Sequence, residues 1–375
     1  MADEVAATAP HPTRPRKRRR DKEGRSDWRP GAPRGAIVIV LLCLALLLAA
    51  LASASVGAAG IPLSRLAAAA FGSAQDGATL ARDQLVLWSV RLPRIVLAAM
   101  VGALLGAAGA LMQGLFRNPL ADPGLVGVSA GGALAAAAAI VLGDRLVRSG
   151  GLHLPFELLP VAAFGGSLIS TMLLYRIATR EGRTSIATFL LAGLAVAALA
   201  MAGVGLLVFT ADDRQLRDIT FWTLGSLTGA TWPKVMSLAP VAIALVVATP
   251  FMARSLDLLV LGEAEAFHMG VAVERLKRIA IVAVAAATGA AVSISGVIGF
   301  VGIIVPHLLR LVIGPGHRLL LPSTMLFGAT LLLIADTFAR TIAAPAELPI
   351  GILTALIGAP FFLSLLLRQR GVIGL

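Results

Sequence analysis

Lysine is nearly missing from this 375-residue sequence. The four present are Lys17, Lys22, Lys234 and Lys277, and none follows a glycine. A P-loop requires G-x-x-x-x-G-K-[ST], so the chain carries no Walker A site and supplies no nucleotide hydrolysis of that kind. Cysteine is scarcer still. Cys43 is the single copy, which excludes an intrachain disulfide, and it sits inside an apolar run where it is read as lipid-facing or packed. No H-E-x-x-H, C-x-x-C or G-x-S-x-G pattern occurs, so metalloprotease, redox and serine-hydrolase readings lose their usual anchors. Charged residues make up only 14% of the chain, against about 25% in soluble domains. A water-soluble fold of this length could not solvate such a surface. Aromatics stand at 5%, and the alternating ten-residue segments of a membrane barrel are not seen.

What remains is alanine, leucine and glycine in long runs, with 58% of residues hydrophobic. A spanning helix needs about 20 apolar residues. Charges and Pro/Gly punctuation divide the chain into ten such segments, near 35–57, 94–114, 124–142, 158–178, 186–209, 234–253, 278–297, 299–313, 321–340 and 349–367. A short extra helix is expected within 210–233. The fold class is thus an all-α membrane protein, and small residues favour close helix packing. Gly102 and Gly106 form a G-x-x-x-G, as do Gly225 and Gly229. Acidic residues within the spans are nearly absent, Asp336 being the clearest exception, so a proton-coupled carrier has little to work with.

The net charge of +12 includes a basic lead, residues 1–34, with the run Arg14–Arg20. A span begins soon after it, which favours a disordered cytoplasmic tail held by the positive-inside rule over a nucleic-acid site. The length of this lead and of the first apolar run fits a signal anchor better than a signal peptide cleaved at Ala52-Ser53-Ala54. Ten spans then put both termini in the cytoplasm, with the ten-helix domain at 35–370. Arg176, Arg180 and Arg183, and Arg275, Lys277 and Arg278, agree with that orientation. It leaves Arg91, Arg94 and Arg340 outside. They are either interfacial snorkels or cationic posts for an acidic partner.

Asn118-Pro119-Leu120-Ala121-Asp122-Pro123-Gly124 joins the second and third spans. Two prolines and a glycine impose a fixed turn there, and Asn118 and Asp122 can satisfy its backbone groups. Asp122 is read as structural. His307 follows Pro306 and is read as part of a helix break rather than a haem ligand; His153, His268 and His317 are expected in solvated loops. No permanently bound cofactor and no metal site are expected.

Nine segments are more particular than this. They are RLPR (91–94), GALMQGLFRNPLADPGLVGVSAGG (109–132), FLLAG (189–193), FWTLGSLTGATW (221–232), LGEAEAFHMGV (261–271), SGVIGFVGIIVPHLLRL (295–311), GHRLLLP (316–322), ADTFAR (335–340) and APAELPIGILTALIGAPFF (344–362). In this order the chain resembles the iron-chelate, haem and vitamin B12 permease family of type II ABC importers, over roughly residues 80–370. The resemblance implies a homodimer of ten-helix subunits in the bacterial inner membrane, with two copies of a cytoplasmic ABC ATPase below and a periplasmic substrate-binding protein above. It implies that Arg91, Arg94 and Arg340 dock that binding protein. It also implies that residues 257–275, with Leu261, Gly262, Glu263, Ala266 and Gly270, couple to the ATPase, where Glu263 would cap a helix or pair with a basic ATPase residue. ATP would be bound by the partner subunit, and this chain would be no enzyme.

The stretches SGVIGFVGIIVPHLLRL and LGEAEAFHMGV look most like haem-importing members. The expected cargo is therefore haem, with a ferric siderophore or vitamin B12 as the alternatives. One departure stands out: where the vitamin B12 member has small polar residues before the fifth span, this chain reads Ile186-Ala187-Thr188.

Overall fold

The structure, a computed structural model, describes residues 32–57, 60–72, 77–124, 127–150, 158–181, 183–344 and 346–373. The basic lead before residue 32 and His153 lie outside the described residues. Helices dominate: α1 Ala32–Ser55, α2 Leu63–Phe71, α3 Ala78–Leu85, α4 Leu92–Phe116, α5 Val128–Gly150, α6 Leu158–Ala178, α7 Ile186–Thr210, α8 Asp213–Thr223, α9 Trp232–Leu259, α10 Glu263–His268, α11 Val273–Ser295, α12 Val301–Ile313, α13 His317–Ile342 and α14 Ile350–Ile373. Two antiparallel strands of two residues, β1 Thr179–Arg180 and β2 Arg183–Thr184, clip the chain between α6 and α7.

The ten expected spans each become a helix (α1, α4–α7, α9 and α11–α14). Among the described residues, seven segments are long and apolar enough to cross a bilayer, while the apolar parts of α5, α12 and α14 are shorter. The chain is an all-α membrane protein, as composition required. The extra helix after α7 is α8, started by a capping box in which Asp212 accepts from the Gln215 backbone and Gln215 reaches back. The link before the second span holds more than a loop. The α2 and α3 helices lie there, and a π-helical turn, Val86–Arg91, joins α3 to α4 in one rod of 39 residues. Pro93 follows at once. Its missing N–H leaves the preceding turn without an α-type donor, and a π turn is one way to re-pair such carbonyls.

The centre of the bundle is α4, packed against α9, α11, α12 and α13. Its glycines explain how so many helices approach it. A Cβ on Gly102 would stand 2.2 Å from the Gly328 carbonyl, one on Gly106 2.4 Å from that of Thr324, and one on Gly109 2.0 Å from that of Gly302. The G-x-x-x-G at 102–106 therefore faces α13, with helix backbones in contact. The second one does different work. Gly225 and Gly229 both have φ +72° and lie between α8 and α9. They form turns rather than a helix–helix seam, because only positive φ lets the chain reverse there.

That turn is part of a buried patch of irregular backbone. The Ser226 N–H donates to the Ser295 carbonyl at 2.7 Å, and a Cβ on Gly351 would meet the Leu224 carbonyl at 2.1 Å. The linker 296–300 ends at Phe300 in the left-handed region, φ 68°, against Gly358 of α14. Irregular backbone inside a bilayer must be covered by protein or line a cavity, since lipid offers no hydrogen bonds. This break shortens α12 to 13 residues.

Candidate functional site

Ionisable side chains gather at the two ends of the bundle. At the first end, the C-termini of α1 and α13 meet the start of α4. Asp336, fully buried, receives Arg94 in a fork: Nε lies 3.1 and 3.0 Å from its two carboxylate oxygens and Nη2 2.8 Å from one. The other edge of Arg94 holds both oxygens of Glu347, at 2.9 and 3.1 Å, and Thr228 donates to the same carboxylate at 2.6 Å. Arg340, one helical turn from Asp336, stands 3.7 Å from it and donates to the Ser53 carbonyl at 2.7 Å and the Val56 carbonyl at 3.0 Å. Arg91 is 5% exposed and donates to the Ala54 carbonyl.

The three arginines are thus brought together, but not as free posts. Each is engaged by its own chain. The reason is chemical: a guanidinium carries five donors in a plane and serves two acceptor groups at once, so Asp336 and the last carbonyls of α1 draw the arginines inward. Glu347, in the linker after α13, stays partly exposed. Burial alone would raise its pKa, yet the hydrogen bonds from Arg94 and Thr228 and the positive charges of Arg94 and Arg340 hold it below the usual carboxylate value.

At the other end, α9 stops at Leu259, and α10 stands between Gly262, φ +126°, and Gly270, φ +88°. The two glycines bracket α10. Ala266 is buried against the bundle, whereas Val260, Leu261, Phe267 and Met269 present apolar surface outward. Glu263 heads α10, but its carboxylate is bound within the chain. Lys277, 3% exposed, reaches it at 2.8 Å, holds Glu274 at 3.0 Å and donates to the Thr184 carbonyl at 3.3 Å. Glu274 accepts from the Thr184 backbone and hydroxyl at 3.2 Å. One buried ammonium therefore joins α10 and α11 to the clip that leads into α7, whose N-cap Ser185 accepts from the Thr188 backbone.

The turn after α4 follows its sequence. Arg117 caps α4 in the left-handed region; Asn118 Oδ1 accepts from the Leu120 N–H at 2.9 Å, and Asp122 Oδ1 from the Gly124 N–H at 2.6 Å. Pro119 and Pro123 alternate with these two side-chain acceptors. His307 is part of α12 beside Pro306, edge-on to Phe361 with ring centres 5.8 Å apart. His268 is exposed at the end of α10. His317 is not solvated: it opens α13, is 2% exposed, and its backbone N–H and Nδ1 meet Asp257 Oδ1 at 2.8 and 2.7 Å. An acid on α9 caps α13 and draws the ring in.

The FecCD transport family model matches residues 43–368, nearly the whole bundle. The chain belongs to the FecCD transport family. It is 46% identical over 293 residues to the hemin transport system permease HmuU of Yersinia pestis, covering 76% of this chain and 84% of that one. It is equally 46% identical over 289 residues to the cobalamin import permease BtuC of Halobacterium salinarum, covering 77% and 75%. The iron(3+)-hydroxamate permease FhuG of Bacillus subtilis is 36% identical over 297 residues, covering 78% and 87%. A chain of a metal-chelate-type ABC transporter solved in an inward-facing conformation superposes with TM-score 0.76 at 32% identity, over 89% of this chain and 99% of that one. A FecCD chain is a permease subunit, a transport component rather than an enzyme. For this FecCD chain, sequence reasoning found the arginines but missed their acceptors Asp336, Glu347 and Ser53. It also missed Lys277 as the hub of the α10 end. Asp336 carried a signal, being an acid inside an apolar run; Glu347 and Lys277 carried none.

Proposed function

We propose that this chain is the membrane subunit of an ATP-driven importer of haem, working as a homodimer in the bacterial inner membrane with two ABC ATPase subunits at the α10 end and a substrate-binding protein at the Asp336 end. The observation that carries the reading is the match to the haem permease over most of both chains. The equal identity of the cobalamin permease and the hydroxamate relative keep vitamin B12 and ferric siderophores as the alternative cargo. Haem rests on the first match and on the two stretches named above.

The α10 end suits a partner that pushes. Apolar side chains on α10 and just before it offer a docking surface, and Lys277 connects α10 to the start of α7. ATP-driven closure of the ATPase pair would move α10, and with it the spans. At the Asp336 end, the reading makes docking an exchange. A carboxylate on the binding protein competes with Glu347, the exposed member of the network, for the outer edge of Arg94, while Arg340 and Arg91 hold the rim. Charges of this kind orient and steer a partner more than they bind it.

Reconstitution with an ATPase partner and a binding protein tests the reading. Haem uptake that needs ATP, with little uptake of ferric hydroxamate or cobalamin, is expected. Preference for another chelate overturns the cargo, and accumulation by liposomes holding this chain alone overturns the mechanism. Glu347→Gln should raise affinity for the binding protein by freeing Arg94; unchanged affinity removes the exchange.

A further inference from the structure

A cavity of about 640 Å³ opens between α9 and α13 toward the α10 end, away from both ionic networks described above. Its layout is amphipathic along one axis. The walls are apolar, with Val246 and Pro250 from α9 facing Leu321 and Met325 from α13, and one end carries Arg254 and Arg318 beside Asp257. On α9 the lining residues 246, 250, 254 and 257 recur at three and four positions, so they share one face. At 1.5 Å per residue, Val246 to Asp257 spans about 16 Å, close to half of the roughly 30 Å hydrocarbon thickness of a bilayer. The cleft is thus about one leaflet deep, with Arg254 and Asp257 in the last two turns of α9.

The sequence explains why the cleft is open. Pro250 and Pro322 lie inside α9 and α13 and both line it. A proline inside a helix removes a backbone donor and bends the helix. The Thr249 hydroxyl donates to the Val246 carbonyl at 3.0 Å, taking up the acceptor that Pro250 leaves free. Both walls of the cleft thus carry a helix-interior proline.

The charges at the mouth are asymmetric. Asp257 is occupied by His317. Arg254 and Arg318 are exposed and have no carboxylate within salt-bridge distance among the described residues. Arg91, Arg94 and Arg340, by contrast, are each engaged. Two free guanidinium groups over an apolar slot match a phosphodiester with two acyl chains below it.

We propose that this cleft binds one anionic phospholipid, its phosphate held by Arg254 and Arg318 and its chains lying along Val246, Pro250, Leu321 and Met325. Nothing in the proposal depends on the cargo. The site would hold the α9–α13 gap closed to water and fix the two helices that flank the α10 end.

The test uses the full chain, delipidated in detergent and then offered phosphatidylglycerol or phosphatidylcholine, with bound lipid counted by native mass spectrometry. The intact protein should retain phosphatidylglycerol at least about tenfold more tightly. A basic group near the lipid surface contributes roughly a fivefold preference, so Arg254→Gln/Arg318→Gln should bring the two lipids to near parity. Met325→Trp should reduce both by filling the chain slot. Equal retention of the two lipids by the intact protein overturns the proposal without any variant. So does displacement of phosphatidylglycerol by millimolar glycerol 3-phosphate, which would mark a site for soluble anions. A shift from dimer to monomer in the arginine variant, with lipid retention unchanged, would make the cleft an interface between copies and would overturn the proposal too.

Discussion

The Asp336 end and the α10 end both join separated segments through a buried cation, yet they differ in which cation and in what is left outside. Arg94 is clamped between a fully buried acid and a half-exposed one, and its planar fork satisfies both with five contacts. Lys277 is more deeply buried than Arg94, but it reaches carboxylates that are themselves partly in solvent. At the first end the polar surface has been spent internally. At the second, the cation is internal, and apolar side chains stand outward beside the half-exposed carboxylates. A carboxylate sealed in the bundle makes its partner a structural necessity, whereas a cation serving exposed carboxylates can be released at modest cost. The first end therefore behaves as a fastening and the second as a joint.

Removing the clamp is the harshest test. Arg94→Ala strands Asp336 in the bundle, which should cost about 3–5 kcal/mol; thermal unfolding in detergent reads it, and Arg94→Leu/Asp336→Leu should recover a large part. If the single variant melts like the parent, Asp336 is not the acid that makes this end rigid. Next comes the seam on which both ends depend. Gly109→Ala sets a methyl 2.0 Å from the Gly302 carbonyl, and overpacking of this kind costs about 1–3 kcal/mol. Full stability there would mean α12 can slide along α4.

Lys277→Ala should be milder than Arg94→Ala, about 1.5–3 kcal/mol for hydrogen bonds to charged groups, because Glu263 and Glu274 can turn to solvent. Its larger effect should appear as ATP hydrolysis no longer coupled to uptake. A loss of stability as severe as that of Arg94→Ala would erase the contrast between fastening and joint. The smallest structural effect is expected from Phe267→Ser, which should stay within about 0.5 kcal/mol while weakening copurification with the ATPase.

Acid sharpens the comparison from the other side. The pKa of Glu347 is depressed in the folded chain, so its contribution is present above the ordinary glutamate value and is lost as pH falls through the lower folded value. Stability of the parent should decline over that acid window. Glu347→Gln should flatten the decline, and an unchanged slope would show that the outer half of the clamp contributes nothing.

Much of the architecture could be read from the chain. Ten apolar runs became ten helices because run length and charge placement are local quantities. The turn at 118–124 was legible for the same reason: asparagine, aspartate and proline act within two or three residues of themselves. Other features depended on neighbours far along the chain. Arg94 and Asp336 are 242 positions apart, and nothing near residue 94 announces an acid waiting on α13, so the arginines read as exposed posts. His317 read as solvated because its partner Asp257 lies on another helix. The glycine pairs show the limit most plainly. The same spacing is a helix seam at 102–106 and a pair of turns at 225–229, and only φ separates them. That α4 lies at the centre was invisible to hydropathy, which measures greasiness and not the number of neighbours.

The π turn at Val86–Arg91 has a consequence for the rod it interrupts. A wider turn takes up one more residue than an α turn, and one residue of an α-helix is about 100° of rotation. The side chains before it are therefore out of phase with those after it, so one unbroken rod presents two differently aimed stripes. Deleting Ser89 would bring the halves back into step. The rod would survive, but Arg65 would lose Asp83, because the correct residues would be pointing the wrong way.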